Sequence, residues 1–167
     1  YLYCGDEFNH YGAWPGATGT VVDPQSYTKL TSANGVRGGT YTNEQLRAID
    51  YIIYHGATAP QEKDVYGYTG WKARAITQFA LWAVMRGEAH ALAVSVPQAE
   101  LHLPIEQFYS DAMNYAQNNG GGPESGVAKL FVPTGDKQVL FFFGQQAGSL
   151  KITKSSLLPD VTSNNEH

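Results

Sequence analysis

The sequence is poor in cysteine, in charge and in long apolar runs, and each shortage removes a class of protein. Cys4 is the single cysteine among 167 residues, so an intramolecular disulfide is excluded. Charged residues make up 16% of the chain and the formal net charge is -4, with the lysines and arginines scattered. Because phosphate binding needs clustered basic residues, nucleic acid is excluded as the main partner. No apolar run approaches the roughly 20 residues of a transmembrane helix, so no membrane span is predicted.

What the sequence does contain is enough apolar material for one folded domain. Hydrophobic residues make up 43% of the chain and aromatic residues 13%. Such a composition predicts a packed core rather than disorder, and the length suits one domain. The segment after residue 154 is polar. We therefore assign residues 1–154 to the domain and residues 155–167 to a polar linker or tail.

Three helices are predicted in the middle of the chain. Thr42 and Gln45 have the spacing of a capping box, and Gly56 suits the end of the helix that they begin. The second helix is apolar on nearly every face, as buried helices are. Pro104 suits the first position of the third helix. The predicted helices cover about 42–56, 71–87 and 104–118.

Strand-like patterns lie on both sides of the helices. Residues 1–8 are aromatic and strand-like, and residues 9–40 are rich in turn formers, with room for a short hairpin. Three β-rich runs close the sequence, at 128–132, 139–143 and 150–153. The simplest fold is α+β: an antiparallel β framework, sandwich- or barrel-like, with an inserted helical subdomain of about three helices.

Cys4 has two functional interpretations beside that of an inert strand residue. A catalytic thiolate needs a partner histidine, and a crosslink would instead consume the thiol. The histidines lie in no recognisable protease context, at positions His10, His55, His90, His102 and His167. His90 and His102 have no ligand-spaced cysteine or second helical histidine nearby, so no metal site is predicted.

Gln78 is the second candidate, because it lies in an apolar helical pattern. Helical spacing places it beside Leu81, Trp82 and Met85. A buried amide needs hydrogen-bond partners or loses a few kcal/mol through desolvation. These residues alone leave open whether Gln78 is a structural amide bonded to neighbouring backbone or a reactive group.

Two short motifs resemble those of the thioester domains of Gram-positive surface and pilus-tip adhesins. The first is Tyr3-Cys4, followed by a turn at Pro15-Gly16. The family places a Thr-Gln-x-Ala-Ile-Trp motif on a downstream helix, and the corresponding run here is Thr77-Gln78-Phe79-Ala80-Leu81-Trp82. Leu81 replaces the usual isoleucine, which is a mild change. The segment Ile52-Ile53-Tyr54-His55-Gly56 also resembles the family's helix end, although His55 departs from the pattern.

The resemblance implies an internal thioester between the Cys4 sulfur and the Gln78 acyl group, formed with loss of ammonia. A nucleophile, typically a lysine amine of a host extracellular protein, attacks Gln78 and releases the Cys4 thiol. The reaction occurs once per molecule, so the domain is not an enzyme, and no cofactor is implied.

The same resemblance implies a place and a partner. The domain is expected to be a monomeric part of a larger multidomain protein on the bacterial surface, either wall-anchored or at a pilus tip. A matrix or plasma protein is the expected target, with fibrinogen-like proteins among the candidates.

Several residues are expected to support the thioester. Thr77 would orient the amide or bond back to the helix backbone. Asp6 and His10 would assist proton transfer or, as the alternative, be solvated loop residues. The early amides of the helix would polarise the Gln78 carbonyl. An aromatic wall would exclude water, with the members Tyr1, Tyr3, Phe8, Tyr66, Tyr68, Trp71 and Trp82.

Two other functions are compatible with the same residues. One is a non-covalent ligand-binding module of the same fold, with Cys4 and Gln78 unlinked. The other is a cysteine-dependent enzyme of the protease or transglutaminase kind. Intact mass distinguishes the non-covalent module from the covalent hypothesis, and multiple turnover would identify the enzyme.

Overall fold

Two strands precede a block of helices and two strands follow it in the computed structural model, which describes residues 1–5, 17–26, 41–58, 64–135 and 138–144. The elements are β1 Tyr3–Cys4, β2 Gly19–Val22, α1 Asn43–His55, α2 Gly70–Arg86, α3 His90–Val94, α4 His102–Gln117, β3 Ala128–Pro133 and β4 Leu140–Phe143. Short 3-10 turns lie at Pro24–Ser26, Ala99–Leu101 and Gly122–Glu124. The predicted α+β class with an inserted helical block is confirmed.

The four described strands form one antiparallel sheet in the order β1-β4-β3-β2. In the register, Tyr3 lies opposite Phe141 and Cys4 opposite Leu140, while β2 pairs with β3 from Gly19↔Pro133 to Val22↔Leu130. The strands predicted at 128–132 and 139–143 are confirmed. Strand β2 lies within the segment predicted as turns with a short hairpin, and the run at 150–153 lies outside the described residues.

Helix α1 begins with the predicted capping box. Thr42 Oγ1 accepts a hydrogen bond from Gln45 N at 3.1 Å, and Gln45 Oε1 accepts one from Thr42 N at 2.9 Å. The same Gln45 side chain donates from Nε2 to Val84 O at 3.1 Å and to Met85 O at 3.3 Å. One side chain therefore caps the start of α1 and also satisfies carbonyls at the end of α2.

Two further side chains of α1 reach other element ends. Arg47 Nε donates to Ala116 O of α4 at 2.9 Å. The Asp50 carboxylate accepts from Gly126 N and Ala128 N, each at 2.9 Å, at the start of β3. Helix α1 thus fixes the ends of α2 and α4 and the beginning of β3.

Helix α2 is buried along most of its length, as its apolar pattern predicted. It ends at Gly87, whose φ of 78° is the left-handed conformation typical of helix C-caps. The main core lies between this helix, its neighbours and one face of the sheet, and includes Tyr3, Ile49, Ile52, Ile76, Phe108, Leu130 and Phe141. Across the described ranges, no helix is long and apolar enough to span a membrane.

The helical block differs from the prediction in two details. The short helix α3 makes the described total four instead of about three, because five residues are too few to produce a clear periodic pattern. Helix α4 begins at His102, so Pro104 is its third residue and not its first. Proline fits there because the amides of the first turn have no partner within the helix.

Candidate functional site

Strand β1 and helix α2 bring Cys4 and Gln78 into direct contact. Cys4 N donates to Gln78 Oε1 at 2.7 Å, and Gln78 Nε2 donates to Cys4 O at 2.9 Å. Gly5 N donates to Val139 O at 2.8 Å, toward β4. Because successive residues of a strand direct their backbone groups to opposite sides, the N–H and C=O of Cys4 point away from β4. Because β1 is an edge of the sheet that the described strands form, the Gln78 amide takes the place that a neighbouring strand would have there.

This pairing explains how a glutamine is tolerated in a buried helix. Only 2% of Gln78 is exposed, and its amide has a hydrogen-bond partner for both the oxygen and the nitrogen. Two reciprocal bonds leave the side chain little freedom, because each fixes a different atom of the same planar group. The amide carbon is therefore held beside the residue that carries the only thiol of the chain.

The predicted source of polarisation for the Gln78 carbonyl is wrong. Gln78 is the ninth residue of α2, which begins at Gly70, so it lies well beyond the helical turn whose amides are unpaired. The donor to Oε1 is instead the backbone N–H of Cys4. A fixed N–H at 2.7 Å from a carbonyl oxygen has the geometry of an oxyanion-hole donor.

Tyr3 lies in the core, with its hydroxyl directed at the turn that follows α1. The side chain is fully buried, and its hydroxyl donates to Ala57 O at 2.6 Å. Burial raises the pKa of the Tyr3 hydroxyl well above its usual value, so the group stays protonated and remains a donor. Besides its predicted place in the aromatic wall, Tyr3 thus makes a specific hydrogen bond that the sequence did not reveal.

Thr77 makes two hydrogen bonds with its hydroxyl. Oγ1 donates to Ala73 O at 2.8 Å, which confirms the expectation of a bond back to the helix backbone. The same oxygen accepts from Ala57 N at 3.1 Å. Gly56 lies so close that an added Cβ would be 2.5 Å from Thr77 Cγ2. The turn after α1 therefore packs directly against the residue before Gln78.

Arg74 and Trp82, both partly exposed, lie on the same face of α2 as Gln78. Arg74 lies one turn before Gln78 and its guanidinium is 5.1 Å from the centre of the Tyr1 ring. Trp82 lies one turn after it, half-buried, with its ring at 73° to that of Phe79 and 5.2 Å between the centroids. The indole Nε1 of Trp82 is buried without a hydrogen-bond partner in the described structure. Sequence reasoning missed Arg74, although its spacing of four from Gln78 was a usable signal.

Two other predicted members of the aromatic wall make hydrogen bonds to α4 and to the 3-10 turn before it. The Tyr66 hydroxyl donates to Asp111 of α4, and the Tyr68 hydroxyl donates to Glu100 O at 3.3 Å. Trp71 is 39% exposed at the start of α2. Phe8, Asp6 and His10 lie outside the described residues.

The described histidines have partners elsewhere. His55 Nε2 is 2.9 Å from Glu124 Oε1, His90 Nδ1 is 2.6 Å from Glu106 Oε1, and His102 Nε2 is 2.6 Å from Val96 O. His10 and His167 fall outside the described ranges. The described residues contain no group of three or more His, Cys, Asp or Glu able to hold a metal ion.

Comparison with known proteins identifies the family. A family model for the thioester domain matches residues 2–123, a range that includes both Cys4 and Gln78. Among solved structures, the chain is similar to a pilus-presented adhesin, Spy0125 (Cpa), with 20% identity and a TM-score of 0.48. That similarity covers 84% of this chain and 37% of the adhesin's own length. No match was found among curated proteins. Because the family model covers well over half of the sequence, the chain belongs to the thioester-domain family.

Proposed function

We propose that Cys4 and Gln78 form an internal thioester that captures a nucleophile of a host protein. The observation that carries this proposal is the reciprocal pair of hydrogen bonds between the Gln78 amide and the Cys4 backbone. It holds the reacting carbonyl beside the thiol-bearing residue before any bond forms, which is the condition for an efficient intramolecular reaction. Membership of the thioester-domain family supports the same assignment.

Thioester formation exchanges one acyl bond for another. The Cys4 sulfur attacks Gln78 Cδ, the Cδ–Nε2 bond breaks, and the thiol proton leaves with the nitrogen as ammonia. Negative charge develops on Oε1 in the tetrahedral intermediate, where the Cys4 N–H at 2.7 Å stabilises it. The Cys4 carbonyl accepts from Nε2 at 2.9 Å and so orients the amine that departs.

Capture of the target is a second acyl transfer at the same carbon. A lysine amine of the target attacks Gln78 Cδ, the bond to sulfur breaks, and the Cys4 thiol is released as an amide forms. Cys4 is therefore the leaving group, and Gln78 stays bonded to the target. The reaction consumes the thioester, so each molecule reacts once and no catalytic turnover follows.

The setting of the domain is part of the proposal. We assign it to a bacterial surface protein, wall-anchored or at a pilus tip, in which residues 1–154 form a monomeric thioester domain and residues 155–167 a linker. The target is an extracellular host protein of the matrix or plasma, with fibrinogen-like proteins among the candidates. The burial of Gln78 supports this role, because a stored thioester needs protection from water until the target arrives.

Intact mass spectrometry tests the proposal directly. We expect the purified protein to weigh one ammonia less than its sequence predicts, and methylamine to add to it. Cys4→Ala and Gln78→Ala should each abolish both results, whereas Gln117→Ala, a change at an exposed glutamine of α4, should preserve them. The full sequence mass together with a titratable thiol in the untreated protein would instead indicate a non-covalent binding module. Multiple turnover of a peptide or ester substrate would indicate a cysteine-dependent enzyme.

A further inference from the structure

Two of the three buried polar side chains in the described residues lie at one short turn. Those of Thr58, Thr77 and Gln78 are 3%, 0% and 2% exposed, respectively. Thr58 lies in the turn after α1, and the Thr77 hydroxyl contacts the same turn from α2. Because burying a polar group is unfavourable unless it is hydrogen-bonded, a group of them in an otherwise apolar core indicates a specific requirement.

A single residue of that turn, Ala57, is held from two sides. Its N–H donates to Thr77 Oγ1 at 3.1 Å, and its carbonyl accepts from the Tyr3 hydroxyl at 2.6 Å. Tyr3 immediately precedes Cys4, and Thr77 immediately precedes Gln78. The neighbours of both reacting residues are thus joined through one peptide residue of a third segment.

We propose that Tyr3 and Thr77 are positioning residues that set Cys4 and Gln78 in reactive register by holding Ala57 between them. This inference rests on the proposed thioester chemistry and adds to it the means by which strand β1 is aligned with helix α2. The alignment matters because a misplacement of about 1 Å can slow an intramolecular reaction on the order of a hundredfold.

The sheet alone specifies this alignment poorly. Strand β1 has two residues, Tyr3 and Cys4, which pair with β4 alone among the described strands, and Gly5 N adds one bond to Val139 O. A slip of one residue would turn the Cys4 side chain to the opposite face, and a two-residue strand offers few contacts that oppose such a slip. The Tyr3 hydroxyl supplies a contact 54 positions away in sequence that only the correct register satisfies.

Gly56 allows the turn to approach α2 closely enough for this arrangement. Its φ of -78° is accessible to any residue, so conformational freedom does not explain the glycine. An added Cβ would instead lie 2.5 Å from Thr77 Cγ2 and 2.6 Å from Ile52 O. The absence of a side chain at Gly56 therefore brings Ala57 within hydrogen-bond distance of Thr77.

The rate of thioester re-formation is the quantity to measure. Treatment with ammonia opens the thioester and regenerates the Gln78 amide and the Cys4 thiol, which is the precursor state. After rapid desalting, intact mass follows the return of the thioester as ammonia is lost again. We expect Tyr3→Phe and Thr77→Val each to slow this return about three- to tenfold, the factor for the one hydrogen bond to Ala57 that each variant removes. Thr77→Val also removes the bond to Ala73 O, which lies within α2.

Two further variants separate positioning from general support of the fold. The Tyr3→Phe/Thr77→Val double variant should be slowed by less than the product of the two single effects, because both bonds serve Ala57. Thr77→Ser, which keeps the hydroxyl, should restore the rate. Thr58→Val is the matched control, since it removes a buried hydroxyl of the same turn that bonds Ile53 O at 2.5 Å and not Ala57.

Stability is compared separately, as urea unfolding of each variant in the Cys4→Ala protein, where no thioester can form. Re-formation at the wild-type rate in Tyr3→Phe and Thr77→Val would refute the positioning role. An equal slowing in Thr58→Val at equal stability would refute it as well. A wild-type protein that never loses ammonia would refute the proposed function itself, which makes the two failures distinguishable.

Discussion

The side-chain amide of Gln78 pairs with both backbone groups of Cys4, with Oε1 2.7 Å from Cys4 N and Nε2 2.9 Å from Cys4 O. A primary amide offers an acceptor and a donor at this spacing on one planar group, whereas an ionised carboxylate offers acceptors alone. The site therefore distinguishes glutamine from glutamate, which has nearly the same shape but no donor when ionised. This distinction bears on what hydrolysis of the thioester would do to the domain.

Gln78→Glu should give a protein that keeps its full mass, has a reactive thiol and is less stable. The buried carboxylate would face the Cys4 carbonyl, acceptor against acceptor, in place of the hydrogen bond now made by Nε2. We expect the free energy of unfolding to fall by about 1–3 kcal/mol relative to Cys4→Ala, which also lacks the crosslink but retains the amide. Urea unfolding measures the difference.

The control for this prediction is Gln117→Glu, the same chemical change at an exposed position, which should alter stability by no more than about 0.5 kcal/mol. Hydrolysis of the wild-type thioester also leaves a glutamate side chain at Gln78. Hydrolysed protein should therefore have the mass and the unfolding midpoint of Gln78→Glu. Equal stability of Gln78→Glu and Cys4→Ala would contradict the importance of the Nε2 bond.

Gly56→Ala should destabilise the domain more than Gly67→Ala does. Gly67 has a φ of 85°, but an added Cβ there meets nothing within 4 Å, so the cost is the conformational strain of about 1 kcal/mol. At Gly56 the backbone is ordinary and the Cβ would overlap Thr77 and Ile52, which we expect to cost about 1–3 kcal/mol. Urea unfolding of both variants in the Cys4→Ala protein gives the comparison, and a larger loss at Gly67 would be the contrary result.

Gln45→Glu should be destabilising although glutamate is usually favourable in the first turn of a helix. The carboxylate could still complete the capping box, but it would also face Val84 O and Met85 O, which now accept from Nε2. We expect a loss of about 1–2 kcal/mol from the two lost Nε2 hydrogen bonds and the repulsion between acceptors.

The matched control is Asn43→Asp, which adds the same charge to the same helical turn at an exposed position. There the helix dipole should make the change neutral or favourable by about 0.3–1 kcal/mol. Opposite signs for the two variants in chemical denaturation would establish the second role of Gln45. Equal and favourable effects would show that its bonds to α2 contribute nothing.

Asp50 should give the domain a dependence on pH in the acid range. Burial raises the pKa of Asp50 above its ordinary value near 3.8, although the N–H groups of Ala128 and Gly126 oppose this shift. The folded state then holds the proton more tightly than the unfolded chain, so the free energy of unfolding falls as pH rises from 3.8 through the raised pKa. Asp50→Asn should flatten this fall. Urea midpoints across that pH range, with and without Asp50→Asn in the Cys4→Ala protein, test it, and identical slopes would exclude Asp50 as the source.

Local sequence patterns predicted the elements whose cause is local. The capping box at Thr42 and Gln45, the buried face of α2 and its end at Gly87 all follow from residues a few positions apart. The runs that became β3 and β4 were visible for the same reason. Strand β2 was not resolved as a separate element, because its four residues are mostly exposed and are organised by pairing with β3 over 100 positions later.

The candidate site shows the same division. The residues Cys4 and Gln78 came from motifs, whereas their hydrogen bonds join positions 74 apart and depend on the fold. Gly56 was predicted as a helix end, and it lies there, but its backbone is extended and a side chain is excluded by Thr77 across the core. The Ala57 contacts had no signal in the sequence, since alanine carries no side-chain chemistry and both bonds are made by its backbone.

The edge position of β1 has a consequence for the molecule after it has reacted. Under the proposed chemistry, the thioester closes a ring spanning 74 positions, and by the loop-entropy relation for crosslinks such a ring stabilises the fold by about 4–5 kcal/mol. Attack by the target opens that ring, after which the first strand is held by non-covalent contacts, among them its pairing with β4, the Gly5 bond to Val139 O and the Tyr3 hydroxyl. An attached domain would therefore unfold at lower temperature than an unreacted one, and proteases should cleave it more readily near its first strand.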